Sequence, residues 1–186
     1  MRRNGELKMN TPNKLTLLRV LLVPVFMWAL TFNIYLALAV FIIASLTDQM
    51  DGHLARKYNQ VTTFGKLMDP LADKILTISA LVCFLEMRAD FINSTVIVII
   101  ISRELIVTGI RLIALGENKV IAASMWGKAK TVSQLAAIIA VMLDMLVPLR
   151  IGAFCLTQWL VVIAVILTVV SGIDYIVKNR GLLTFK

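Results

Sequence analysis

Long apolar runs recur along this chain, separated by short polar stretches. A helix rises 1.5 Å per residue, so about 20 apolar residues cross the hydrocarbon core of a bilayer. Six spans are read from the pattern: residues 15–32, 34–47, 67–87, 91–110, 129–149 and 151–177. The second is short, but it continues into the most acidic part of the chain. There is no internal repeat, no low-complexity segment and no polar stretch long enough for a separate soluble domain. The expected fold is therefore an all-α integral membrane protein of six transmembrane helices. Residues 13–186 form one six-helix domain, and residues 1–12 are a tail or a short interfacial helix. The start resembles a secretory signal, but Arg19 interrupts its apolar region and no small-residue cleavage site follows. It is read as an uncleaved first span.

Composition agrees with the pattern. The chain of 186 residues is 59% hydrophobic, with a mean hydropathy of +0.87, which excludes an ordinary soluble domain. Its net charge of +8 does not indicate a nucleic-acid binder, because the basic residues fall between apolar spans rather than on one soluble face. With six spans both termini share a side. All of the 19 Lys and Arg residues except Arg88 and Arg150 approach that side. The positive-inside rule makes it cytoplasmic. Cys83 and Cys155 lie within apolar runs and read as small buried hydrophobes. The single histidine, His53, has no partner at metal-ligand spacing and receives no role.

Charge then singles out one stretch, DQMDGHLARKYNQVTTFGKLMDPLAD, residues 48–73. Four of the 11 acidic residues are here: Asp48, Asp51, Asp69 and Asp73. On helices, the spacings of three and four put each pair on one face. A carboxylate deep in a bilayer costs roughly 2.5 to 3.5 kcal/mol. Two such charges about 5 Å apart repel by roughly 3 kcal/mol at an effective dielectric near 20. Cations or protonation would relieve this, and oxygen-only ligands suit Mg²⁺ or Mn²⁺. A solvated loop pairing its acids with Arg56, Lys57, Lys66 and Lys74 is the plain alternative. Gly52 and Gly65 count against it, since glycine on a helix face admits a ligand or a neighbouring backbone.

The full pattern, Asp-x2-Asp-Gly-x2-Ala-Arg-x8-Gly-x3-Asp-x3-Asp, resembles without a gap the signature of the CDP-alcohol phosphatidyltransferases. The resemblance implies six helices with the site at the cytoplasmic face. It implies two divalent cations, Mg²⁺ or Mn²⁺, on Asp48, Asp51, Asp69 and Asp73, with Asp73 also the base that deprotonates the attacking hydroxyl. It implies a site for cytidine diphosphate formed by Asp51, Gly52, Ala55, Arg56, Gly65 and Asp69. PNKLTLLR also looks like the family, with Asn13, Thr16 and Arg19 supporting the diphosphate or the metals. A helix start and a snorkelling arginine would explain these three equally. The implied donor is CDP-diacylglycerol, entering from membrane lipid, and the family is usually homodimeric.

The acceptor is read from later segments. SRELIVTGIRLIAL places Arg103 and Arg111 about two turns apart, and GKAKTVSQ adds Lys128 and Lys130. Converging cations beside such a site suit an acceptor that carries its own phosphate. Arg103 and Glu104 inside an apolar span mark a lined cavity, with Glu104 orienting an arginine. These segments resemble the branch of the family whose acceptor is sn-glycerol 3-phosphate, giving phosphatidylglycerophosphate and CMP. Inositol phosphate or phosphatidylglycerol as acceptor are the alternatives within the family, and serine fits the cations poorly. A divalent-cation transporter is the alternative outside it. That would place acids at the midplane of several spans, usually with repeat symmetry. Nothing in the sequence assigns a role to LGENK, residues 115–119, or to the 116–120 linker.

Overall fold

The computed structural model describes residues 11–57, 63–87, 89, 91–116, 121, 124–151 and 154–182, with side chains described outside 11–16, 19, 47–57, 63–73, 115, 150–151, 154 and 182. Six helices dominate: α1 (Thr11–Phe32), α2 (Ile34–Lys57), α3 (Thr63–Glu86), α4 (Ser94–Gly116), α5 (Met125–Leu146) and α6 (Leu156–Lys178). Two short strands, β1 (Arg150–Ile151) and β2 (Phe154–Cys155), pair antiparallel between α5 and α6, with Arg150 opposite Cys155. A 3-10 turn, Arg180–Leu182, follows α6. Among the described residues, α5 and α6 are long and apolar enough to cross a membrane, and Val20–Phe32 and Ile34–Leu46 are shorter apolar stretches of α1 and α2.

The chain divides into two compact units, residues 1–76 and 77–186. In the first, α1 packs on α2. Val23, Phe26, Ala29 and Leu30 on α1, and Ala37, Phe41 and Ala44 on α2, are buried at helical spacing. Phe26 and Phe41 meet with ring centroids 5.6 Å apart, a tilted pair worth roughly 0.5 to 1.5 kcal/mol beyond its burial. The alanines suit a lipid setting, where packing rather than water exclusion holds helices together. A single residue, Asn33, joins the two helices. Its N–H donates to the Ala29 carbonyl at 2.8 Å. Its Oδ1 accepts from the N–H groups of Tyr35 and Leu36 at 2.9 and 3.2 Å. It thus ends α1 and caps α2.

In the second unit, α4 and α5 both pack on α6. Val107, Ile110 and Tyr175 form a buried cluster with Ile121 against it. An apolar cavity lies among the end of α3, α4, α5 and α6, lined by residues that include Phe84, Ile100, Ile138 and Val161. The outer side of α6 exposes Val162, Ile163, Ile166, Val169, Val170 and Ile173. In water that face would be a liability; against acyl chains it is an ordinary surface.

The helix ends differ from the apolar runs by a few residues, and capping explains two of the starts. The Asn93 Oδ1 accepts from the Val96 N–H at 3.0 Å, so α4 starts at Ser94 rather than 91. The Ser124 Oγ accepts from the Gly127 N–H at 3.1 Å, so α5 starts at Met125 rather than 129. The sixth helix starts at Leu156, because the apolar residues from 151 onward include the two-stranded ribbon. Short apolar runs do not separate strand from helix. Helix α1 starts at Thr11, with Pro12 in the first turn, where a missing N–H removes no helical bond. Residues 1–10 and 117–120 lie outside the described residues.

Candidate active site

The aspartate segment is helical on both sides of its connection. Asp48, Asp51, Gly52, Ala55 and Arg56 lie on the C-terminal part of α2. Gly65, Asp69 and Asp73 lie on the N-terminal part of α3. The apolar stretch of α2 ends at Leu46, yet the helix continues to Lys57. Helical backbone at these positions gives each aspartate pair the same-face register expected from its spacing. Their side chains lie outside the described residues, as do those of His53 and of Asn13, Thr16 and Arg19 on α1. Among the described residues, no group of three or more His, Cys, Asp or Glu stands close enough to hold a metal ion.

The described side chains give a second polar centre in detail, within the second unit. Arg103 leaves α4 toward α6. Its Nε donates to the Ser171 Oγ at 3.2 Å, and its Nη1 donates to the Glu104 Oε1 at 3.4 Å. The same Oε1 accepts from the Lys130 Nζ on α5. Glu104 and Lys130 are buried, at 6% and 4% exposure. Ser171 is fully buried, and its own hydroxyl donates to the Thr168 carbonyl at 3.0 Å. Three helices therefore meet around one carboxylate and two cations among the described residues. Buried charges are expensive unless paired, and here each is held by a hydrogen-bonding neighbour.

Glycine makes the approach possible. A Cβ on Gly172 would stand 3.1 Å from the Arg103 Cγ, tighter than side chains normally pack. A Cβ on Gly127 would stand 3.9 Å from the Arg103 Nη2, which places that nitrogen beside the first turn of α5. Two turns further along α4, the Arg111 Nε donates to the Tyr175 hydroxyl at 3.3 Å, and its guanidinium lies 5.6 Å from the centre of that ring. Arg103 and Arg111 thus both lean on α6, at Ser171 and Tyr175. Lys128 is exposed on the first turn of α5.

The sequence reading singled out four basic residues here, and the structure sorts them. Arg103 and Arg111 share one face of α4. Lys128 is open to a ligand. Lys130 is buried, and its charge is answered by Glu104 inside the protein. Ser171, Gly172 and Tyr175 were missed. Their trace in the sequence is SGIDY, a small and polar run that interrupts an otherwise apolar helix.

Comparison with known proteins agrees with the aspartate signature. The profile of the CDP-alcohol phosphatidyltransferase domain matches residues 9–170. The chain belongs to the CDP-alcohol phosphatidyltransferase family. A protein of Bacillus subtilis named CDP-diacylglycerol–glycerol-3-phosphate 3-phosphatidyltransferase is 42% identical, over 91% of this chain and 95% of its own. A protein of the same name from Haemophilus influenzae is 38% identical, over 94% of this chain and 96% of its own. A probable phosphatidylglycerophosphate synthase of Mycobacterium tuberculosis is 42% identical, over 91% of this chain and 81% of its own. With family membership and two helices of membrane-crossing length, the chain is a membrane protein. The CDP-alcohol phosphatidyltransferase match ends one residue before Ser171, so the α6 side of the arginine cluster lies past the shared domain profile.

Proposed function

We propose that this protein transfers the phosphatidyl group of CDP-diacylglycerol to sn-glycerol 3-phosphate, giving phosphatidylglycerophosphate and CMP. The observation that carries the reading is the likeness to relatives of that name over nearly the whole chain. The arginine pair on α4 supports the choice of acceptor, because a phosphate-bearing alcohol needs cations that a neutral one does not. In the proposed arrangement six helices cross the cytoplasmic membrane, the termini and the active site face the cytoplasm, and two copies form a homodimer.

The signature donors are four carboxylates with no nitrogen or sulfur, a set that fits hard divalent cations. Asp48, Asp51, Asp69 and Asp73 would hold two Mg²⁺ or Mn²⁺ ions, whose chemistry is to neutralise the diphosphate and the departing CMP. Gly52, Ala55, Arg56 and Gly65 frame the cytidine diphosphate. Asn13, Thr16 and Arg19 support it from α1. Arg103, Arg111 and Lys128 hold the acceptor phosphate, and Lys130 backs them through Glu104. The Asp73 carboxylate takes the proton of the acceptor hydroxyl as its oxygen attacks the lipid-bearing phosphorus in line. The bond from that phosphorus to the CMP oxygen breaks, and CMP leaves with the electron pair.

The test is CMP release by purified protein in detergent with CDP-diacylglycerol and Mg²⁺, offering glycerol 3-phosphate, inositol phosphate, serine and phosphatidylglycerol separately. Release is expected with glycerol 3-phosphate alone, and a chelator should abolish it. Asp73→Asn should lower kcat by at least about 10²-fold, the usual scale for a lost general base. Release with a different acceptor would overturn the acceptor assignment. Release that survives Asp73→Asn would overturn the base.

A further inference from the structure

We propose that Ser171 and Gly172 on α6 are positioning residues that set the affinity for the acceptor by fixing where the Arg103 guanidinium stands. The inference rests on the reading of Arg103 as a ligand of the acceptor phosphate. A guanidinium has five N–H donors in a rigid plane, so holding one edge aims the other. The Arg103 Nε is held by the Ser171 Oγ, and Nη1 is held by the Glu104 Oε1. Among the described contacts Nη2 has no hydrogen-bond partner, and it stands beside Gly127 on the first turn of α5. The Nε donor and one of the two on Nη1 are thus occupied by protein, and the donors on Nη2 remain for a ligand.

Two features of α6 make this placement depend on that helix. The Ser171 hydroxyl donates to the Thr168 carbonyl, which turns its lone pairs toward Arg103. The side chain of Arg103 crosses α6 at Gly172, so closely that a methyl group there fits only if the arginine stem gives way by a few tenths of an ångström. Any larger residue pushes the arginine stem away from α6 and carries Nη2 with it. Phosphate recognition by arginine depends on geometry as well as charge, so a displacement of a few tenths of an ångström weakens binding without altering the base or the nucleotide site.

The experiment measures KM for each substrate, and kcat, in Gly172→Ala, Ser171→Ala, Arg103→Ala and the double variant Arg103→Ala/Gly172→Ala. Alanine is a better helix former than glycine, so Gly172→Ala is not expected to unfold α6. Thermal unfolding in detergent checks this for every variant, and Ser171→Ala probes the same arginine without adding volume. The expected result is a KM for glycerol 3-phosphate raised about five- to tenfold by Gly172→Ala and about threefold by Ser171→Ala. KM for CDP-diacylglycerol and kcat should stay within about twofold, because neither residue touches the reacting atoms. In the Arg103→Ala background, Gly172→Ala should have no further effect, since the atom it displaces is gone. If Arg103→Ala leaves the acceptor KM unchanged, the acceptor reading fails and takes this inference with it. If Arg103→Ala raises that KM while both α6 variants leave it unchanged, the positioning role alone is overturned. An undiminished effect of Gly172→Ala without Arg103 overturns it too.

Discussion

Glu104 is the residue on which the arginine cluster depends. Its single Oε1 accepts from both Arg103 and Lys130, with Lys130 and Glu104 buried. Removing one member of a buried ion pair leaves a charge without an answer, which destabilises by about 3 to 5 kcal/mol. Glu104→Ala should therefore lower the thermal midpoint in detergent strongly. The double variant Glu104→Leu/Lys130→Met, which removes the buried lysine charge as well, should recover part of the loss, since Arg103 still lacks its carboxylate. A double variant no more stable than Glu104→Ala would show that the pair does not carry this energy. This cluster was half legible in the sequence. Arg103 and Glu104 declared themselves as charges inside an apolar run, where a charge needs a reason. Ser171 and Gly172 did not, because serine and glycine in membrane helices usually serve close packing. Their significance depends on which side chain passes them, and that is a property of two helices rather than of one.

At the scale of the element, hydropathy and capping answer different questions. Apolar runs located every helix, but the ends follow hydrogen-bonding side chains such as Asn33, Asn93 and Ser124. Asn33 has the largest share of this work, since one residue closes α1 and opens α2. Asn33→Ala removes two acceptor contacts to the first turn of α2, a loss of about 1 kcal/mol. A thermal midpoint lowered by a few degrees is expected, with both KM values unchanged, because the turn lies at the opposite end of α2 from Asp48. An unchanged midpoint would mean that other groups satisfy the N–H donors of Tyr35 and Leu36. The continuation of α2 past its apolar part into the aspartate stretch was expected from the sequence, and the helix runs on to Lys57. The ribbon of Arg150–Ile151 and Phe154–Cys155 was not expected, for Ile151, Phe154 and Cys155 are as apolar as the helix that follows.

At the scale of the whole molecule, the aspartate signature identified the family through eight positions at fixed spacing. Composition identified the setting. The proposed topology has a direct check. Cys83 and Cys155 are buried, so single new cysteines can be read against a quiet background. Arg150→Cys should react with an impermeant maleimide from outside intact cells, and Lys178→Cys only after permeabilisation. The reverse pattern would invert the chain and place the aspartates outside. Helix α6 carries one more consequence. Its 23 residues are about 34 Å long, against a hydrocarbon thickness near 30 Å, so α6 is long enough to span with some tilt. Its packing on α4 and α5 and the polar residues near its end, such as Asp174 and Lys178, set how it sits, and a thinner bilayer loads those contacts. The helix that tilts is also the one that carries Ser171 and Gly172 against Arg103. In the proposed topology, bilayer thickness is therefore expected to bear on the KM for glycerol 3-phosphate, which assays in vesicles of differing acyl-chain length would test.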